Sequence, residues 1–233
     1  MSEAAPQFEG EFETHLTVAG ERGELDGEGL LRFAQAHGLK CLQIELARGT
    51  HAFQPMLTRR GRGDLAGELA IAARLAAQLR DAGFAVCRTK IEASPTNAGI
   101  PQHEHEAQPG RYFESHIKLL LSAQADTGEL AALAIAHGAH LSRNALRRRD
   151  DGRHERFVTQ RYARGGFRAV DAALRNLLDA LRPLGHRQLS VETEYVVHDS
   201  NLAIDDGWIV PATTLAASPA PAFDANHTPR IMR

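Results

Sequence analysis

The chain has 233 residues, of which 43% are hydrophobic and 24% charged, ordinary proportions for a soluble globular protein. The formal net charge is −2, and residues 1–110 hold 11 Lys+Arg against 15 Asp+Glu, so neither part carries the basic surplus of a nucleic-acid binder. There is no basic-then-apolar leader and no run of membrane-spanning length, which predicts a cytoplasmic protein without a membrane or nucleic-acid partner.

Residues 11–18 alternate, with Phe12, Thr14, Leu16 and Val18 on one side and Glu13, His15 and Thr17 on the other. A period of two predicts a strand with one packed face. Leu30, Leu31, Phe33 and Ala34 predict a short helix, ended by Gly38. Residues 39–47 and 52–60 read as a hairpin around Gly49. Leu65, Leu69, Ala72, Ala76 and Leu79 form one stripe of a longer helix, ended by Gly83, and a last strand is expected over 84–93. Cys41 and Cys87 lie in strand-like runs without metal or disulfide spacing and read as small buried hydrophobes. Thr96, Asn97, Gly99, Pro101 and Pro109 mark residues 96–109 as a linker.

The series then repeats. Phe12-Glu13-Thr14-His15-Leu16 returns as Phe113-Glu114-Ser115-His116-Ile117, and Phe33–Gly38 returns as Leu133–Gly138. Leu57-Thr58-Arg59-Arg60 matches Val158-Thr159-Gln160-Arg161, and Lys90-Ile91-Glu92 matches Glu192-Thr193-Glu194. The offset stays between 100 and 102, and four collinear matches at one offset point to internal duplication. Residues 8–95 and 110–198 are therefore read as two ferredoxin-like βαββαβ units of an α+β fold. With sheet order 4-1-3-2 and helices on the outer faces, the free faces would meet in a sandwich or a closed barrel. Residues 199–214 read as a C-terminal extension, and the Ala/Pro/Ser-rich residues 215–233 as a disordered tail.

The free faces carry the candidate chemistry. On the first copy they hold Glu13 and His15, then Thr58 and Arg60, then Lys90 and Glu92; on the second, Glu114, His116 and Lys118, then Thr159 and Arg161, then Glu192 and Glu194. An open antiparallel sheet also turns polar residues to water, and ion pairs could simply latch the halves. Glu-x-His, Thr-x-Arg and the final Glu recur, however, where most positions have diverged, and packing alone does not require ionisable groups there. Two imidazoles and two carboxylates, His15, Glu92, His116 and Glu194, suit Fe(II), Mn(II), Ni(II) or Zn(II). Glu13 and Glu114 would then act as bases, and Thr58, Arg60, Thr159, Arg161, Lys90 and Lys118 would bind a small polar or anionic ligand.

One ligand from the first strand and one from the last strand of each repeat resembles the arrangement in vicinal-oxygen-chelate (glyoxalase) enzymes, whose modules are βαβββ. The alternating Glu9, Glu11 and Glu13 resemble the E-x-E-x-K strand of the triphosphate tunnel hydrolases, with His15 near the lysine position. This second resemblance implies phosphate chemistry in a charged barrel. His15-Leu16-Thr17 fits the H-x-T motif of the two-histidine phosphoesterases, and His116-Ile117-Lys118 breaks its second copy. A non-catalytic small-ligand or partner-binding module is the alternative from another class. No nucleotide-binding motif occurs. His103-Glu104-His105-Glu106 reads as a solvated polar loop, and Arg147-Arg148-Arg149 as an exposed hairpin end.

Overall fold

A computed structural model describes residues 7–147 and 149–209. The predicted tail, 215–233, and the last residues of the predicted extension lie outside that range. Eight strands run in chain order: β1 (Glu9–Val18), β2 (Lys40–Leu46), β3 (Phe53–Asp64), β4 (Val86–Ala93), β5 (Tyr112–Leu121), β6 (Ala139–Asn144), β7 (His154–Tyr162) and β8 (Arg187–Asp199). Four α-helices accompany them: α1 (Gly27–Ala36), α2 (Leu65–Asp81), α3 (Thr127–Ala136) and α4 (Phe167–Leu181).

The strands form one antiparallel sheet closed into a barrel, in the order β1-β3-β2-β6-β7-β5-β8-β4. Within each half the order is the same: β4-β1-β3-β2 and β8-β5-β7-β6. The outer strands of the halves meet twice, β4 with β8 and β2 with β6. Closure matters energetically, because it leaves no row of unpaired backbone N–H and C=O groups on a sheet edge.

The hydrophobic core lies outside the barrel wall, beneath the helices. Leu16, Val18 and Leu57 pack with Leu30 and Ala34 of α1 and Leu75, Ala76 and Leu79 of α2. Ile117, Leu119, Leu121, Leu141 and Val158 pack with Leu130 and Ala134 of α3 and Leu174, Leu177 and Leu181 of α4. Phe8, Phe12, Phe113 and Tyr195 join a third cluster between them. The outward faces of β1 and β5 are therefore apolar, which forces Glu13, His15, Glu114 and His116 inward. Asp26, Asp64 and Asp126 cap α1, α2 and α3 through side-chain oxygens that accept backbone N–H groups.

Three features depart from the sequence expectation. β3 continues to Asp64, so strand passes into helix without a loop. The linker contains a short 3-10 turn, Glu104–Glu106, and packs against the start of α4. The extension after β8 folds back as a further 3-10 turn, Leu202–Asp205, followed by Trp208. Trp208 donates its indole N–H to Leu141 O at 3.1 Å, and Gln54 donates to Ile204 O and Asp205 Oδ1. This segment plugs one end of the barrel. No described helix is long and apolar enough to cross a membrane.

Candidate functional site

The register of β1 sets Glu13 opposite Arg60 and Glu92, and His15 opposite Thr58 and Lys90. The register of β5 sets Glu114 opposite Arg161 and Glu194, and His116 opposite Thr159 and Glu192. Most of these side chains line one internal cavity of about 290 Å³, at the lower end of small-molecule pockets (roughly 300–1,000 Å³). Glu13, Arg60, Glu92, Glu192 and Glu194 also border an outer groove, so the cavity communicates with the surface on that side.

His15 is held at both ring nitrogens: Nδ1 is 2.9 Å from Thr58 Oγ1 and Nε2 is 2.7 Å from Glu92 Oε2. Lys90 Nζ lies 2.6 Å from Glu92 Oε1 and donates to Glu114 Oε2 at 2.8 Å, bridging the two halves. Arg161 donates through Nε to Glu114 at 2.8 Å and through Nη2 to Asp205 at 2.5 Å. His116 Nδ1 sits 3.0 Å from Thr159 Oγ1, mirroring His15 and Thr58, but its Nε2 stands 3.8 Å from Glu114 and 3.7 Å from Glu194. His116 is thus anchored at one nitrogen and free to engage a ligand at the other.

The charge states follow from burial and neighbours. Burial alone would raise Glu92 and Glu114, but Lys90, with His15 for the first and Arg161 for the second, holds both below the usual carboxylate range. Burial would lower Lys90, and Glu114 and Glu92 outweigh it and keep the ammonium charged. Burial pushes Glu194 well above the usual range, and the nearby charge of Glu92 adds to the rise. The two carboxyls are thus pushed in opposite directions, Glu92 toward the ionised form and Glu194 toward the neutral one. Burial lowers His116 despite Glu114 and Glu92, which favours the neutral imidazole.

Ligand atoms of Glu92, Glu114 and His116 all lie within 4.8 Å of one another, so this group could hold a metal ion. Of the four residues expected as ligands, the structure brings together Glu92 and His116. His15 reaches this group through Glu92, Glu194 stands beside His116, and Glu114, expected as a base, joins the group. Glu13 is joined to Arg60 at 2.7 Å, and that arginine is largely exposed at the outer groove. Lys118 pairs with Glu155 at 2.7 Å, away from the Glu92–Glu114–His116 group.

The repeat pattern missed a buried set at the plugged end. Arg88 reaches Asp199 at 2.6 Å and Asp205 at 3.0 Å, and Tyr112 donates to Asp199 at 2.6 Å. Asp199 and Asp205 follow the last predicted strand and have no counterpart in the first copy, so matching repeats could not reveal them. The sequence signal was three acids, Asp199, Asp205 and Asp206, and the sole tryptophan in a segment otherwise lacking a pattern.

No protein-family profile matches the chain, and no curated protein matches it in sequence. Among solved structures, a putative monooxygenase from Lactobacillus acidophilus NCFM is 15% identical and covers 88% of this chain and 100% of its own, with a TM-score of 0.31. A putative monooxygenase from Fusobacterium nucleatum subsp. nucleatum ATCC 25586 is 8% identical and covers 89% of this chain and 99% of its own, with a TM-score of 0.28. Similarity at this level assigns no activity.

Proposed function

We propose that the chain is a pair of ferredoxin-like repeats, residues 8–95 and 110–198 joined by the linker 96–109, and that its barrel is a metal-dependent enzyme acting on a small molecule between the halves. The observation that carries this reading is the convergence of Glu92, Glu114 and His116 within 4.8 Å on the cavity wall. One imidazole and two carboxylates form a nitrogen/oxygen set that suits Mn(II), Fe(II), Ni(II) or Zn(II). Lys90 and Arg161 keep both carboxylates ionised, and Thr159 fixes the ring of His116. A bound divalent ion would supply Lewis acidity and take over the charge balance that Lys90 now provides.

Proton transfer falls to the neighbours. Glu194, raised well above the usual carboxylate range by burial and by Glu92, faces both the cavity and the outer groove, which suits a proton donor. Glu114, clamped by Lys90 and Arg161, is too weak a base for that role and serves better as a ligand. His15, fixed between Thr58 and Glu92, positions Glu92. Lyase or isomerase chemistry is the class these groups support. A phosphoester or triphosphate hydrolase would need cations free for the anion, whereas Arg88, Lys90 and Arg161 each already hold carboxylates. One observation favours a second reading: the ammonium of Lys90 touches both Glu92 and Glu114 and so balances the site without a metal.

Metal analysis after reconstitution with Mn(II), Fe(II), Ni(II) and Zn(II) separates the two. The expected result is stoichiometric binding of one of these ions by the wild type, weakened by more than about tenfold in Glu114→Gln and His116→Ala. A wild-type protein that retains none of the four ions rules out the metal centre and leaves an acid–base site built on Lys90.

A further inference from the structure

The barrel interior has two unlike walls. β1, β4, β5 and β8, with Arg60 of β3 and Arg161 of β7, supply the charged side chains described above. Facing them, β2 turns Lys40, Leu42, Ile44 and Leu46 into the cavity, where Met56 of β3, Phe157 of β7 and Trp208 of the plug join them. This reverses β1 and β5, whose inward residues are polar. Leu42, Ile44, Met56 and Phe157 are only partly buried by the protein itself. Apolar side chains left accessible inside a cavity are covered when an apolar ligand enters.

Cations mark one margin of this wall. Lys118 and Arg147 line the cavity and share a single carboxylate, Glu155, at 2.7 and 3.1 Å. Lys40 is exposed, borders both the cavity and an outer depression, and forms no ion pair among the described residues. Asp150 and Asp151 border that depression as well, so Lys40, Lys118, Arg147 and Arg149 stand against the three carboxylates of Asp150, Asp151 and Glu155, with Lys40 placed to take an anion.

We propose that the substrate is a monoanionic amphiphile, with an aliphatic or aromatic body against Leu42, Ile44, Met56 and Phe157 and its anionic group at Lys40. This rests on the reading of the cavity as an active site and narrows the small polar or anionic ligand expected from sequence. The volume sets an upper size: at roughly 30 Å³ per water-sized group, the cavity takes a body of about ten non-hydrogen atoms. A polyanion fits poorly, since Lys118 and Arg147 are already partly neutralised by Glu155.

Trp208 is the sole tryptophan and lines the same cavity, so its emission reports occupancy directly. Octanoate, octanol and acetate are titrated into full-length protein without metal, read by Trp208 fluorescence and by calorimetry. The expected result is saturable binding of octanoate, about tenfold weaker binding of octanol, and none of acetate over the same range. Lys40→Gln should reduce octanoate affinity to that of octanol and leave octanol unchanged. Absence of octanoate binding by both readouts, equal affinity for octanol, or an unchanged preference in Lys40→Gln would each overturn the proposal. Because the metal-free protein is used, the result stands apart from the metal analysis: octanoate binding without metal retention would keep this inference while the metal centre fails.

Discussion

Glu92 and Glu194 occupy matched places on β4 and β8, yet their carboxyls are shifted in opposite directions. Glu92 has Lys90 and His15 against it, whereas the position matched to Lys90 in the second copy is Glu192, which leaves Glu194 without an equivalent cation. The sign of the pH dependence follows. Glu92 and Glu114 are depressed below the ordinary value of 4.5, so their contribution is complete above that pH and is lost as pH falls further. Glu194 is raised, so above 4.5 the unfolded chain releases a proton that the folded protein keeps, and stability declines as pH rises. Glu194→Gln removes this opposing effect and should be more stable than wild type at pH 7, with the advantage gone at pH 4. Glu92→Gln should lose on the order of 1–3 kcal/mol at pH 7 and flatten the acid limb. Urea denaturation from pH 4 to 8 measures both, and a Glu194→Gln variant destabilised at pH 7 would refute the raised affinity of Glu194 for its proton. The sequence exposed the matched glutamates and the Lys90/Glu192 difference beside them, and left hidden the burial of Glu194 near Glu92 that raises it.

At the scale of elements, α4 differs from the other helices in having no side-chain cap. The linker replaces it: Pro101 O accepts from Phe167 N at 2.8 Å and Gln102 O from Arg168 N at 3.5 Å. This approach needs Gly166, since a Cβ there would stand 2.3 Å from Gln102 C and His103 N, both backbone atoms that cannot rotate away. Gly166→Ala should therefore push the linker off the helix end and cost about 1–3 kcal/mol, lowering Tm by roughly 2–4 °C for each kcal/mol in a chain of this size. Gly67→Ala is the control, because its Cβ would meet only Asp64 Oδ1, at 3.4 Å, and a helical Ala is favoured over Gly. Equal melting of the two variants would remove the linker from the account. Strand and helix types were readable from period and stripe, and the polar faces of β1 and β5 from alternation. The inward apolar face of β2 was not, because which side of a strand points inward is settled only when β2 pairs with β6.

For the whole molecule, closure through β4–β8 and β2–β6 makes the two halves one unit, and the plug ties a third piece to both. Asp205 is buried and joins Arg88 of the first half, Arg161 of the second and Gln54 of β3. Asp205 and Trp208 follow the last strand and have no counterpart at the matching offset, so the pattern of matched segments predicts two open barrel ends where the structure plugs one. Breaking the linkage by Asp205→Ala leaves two buried guanidinium groups short of a partner, although Asp199 and Glu114 still serve them. The expected cost lies at the low end of the range for a broken buried ion pair, about 3 kcal/mol. Trp208 distinguishes loss of the plug from loss of the barrel. In wild type its fluorescence and the far-ultraviolet circular dichroism should report the same urea midpoint, as one cooperative transition requires. In Asp205→Ala the fluorescence transition should come first, since the plug has lost its ties to Arg88 and Arg161 while the β-sheet remains closed. Coincident curves in the variant, at an unchanged midpoint, would mean that Asp205 does not couple the plug to the halves.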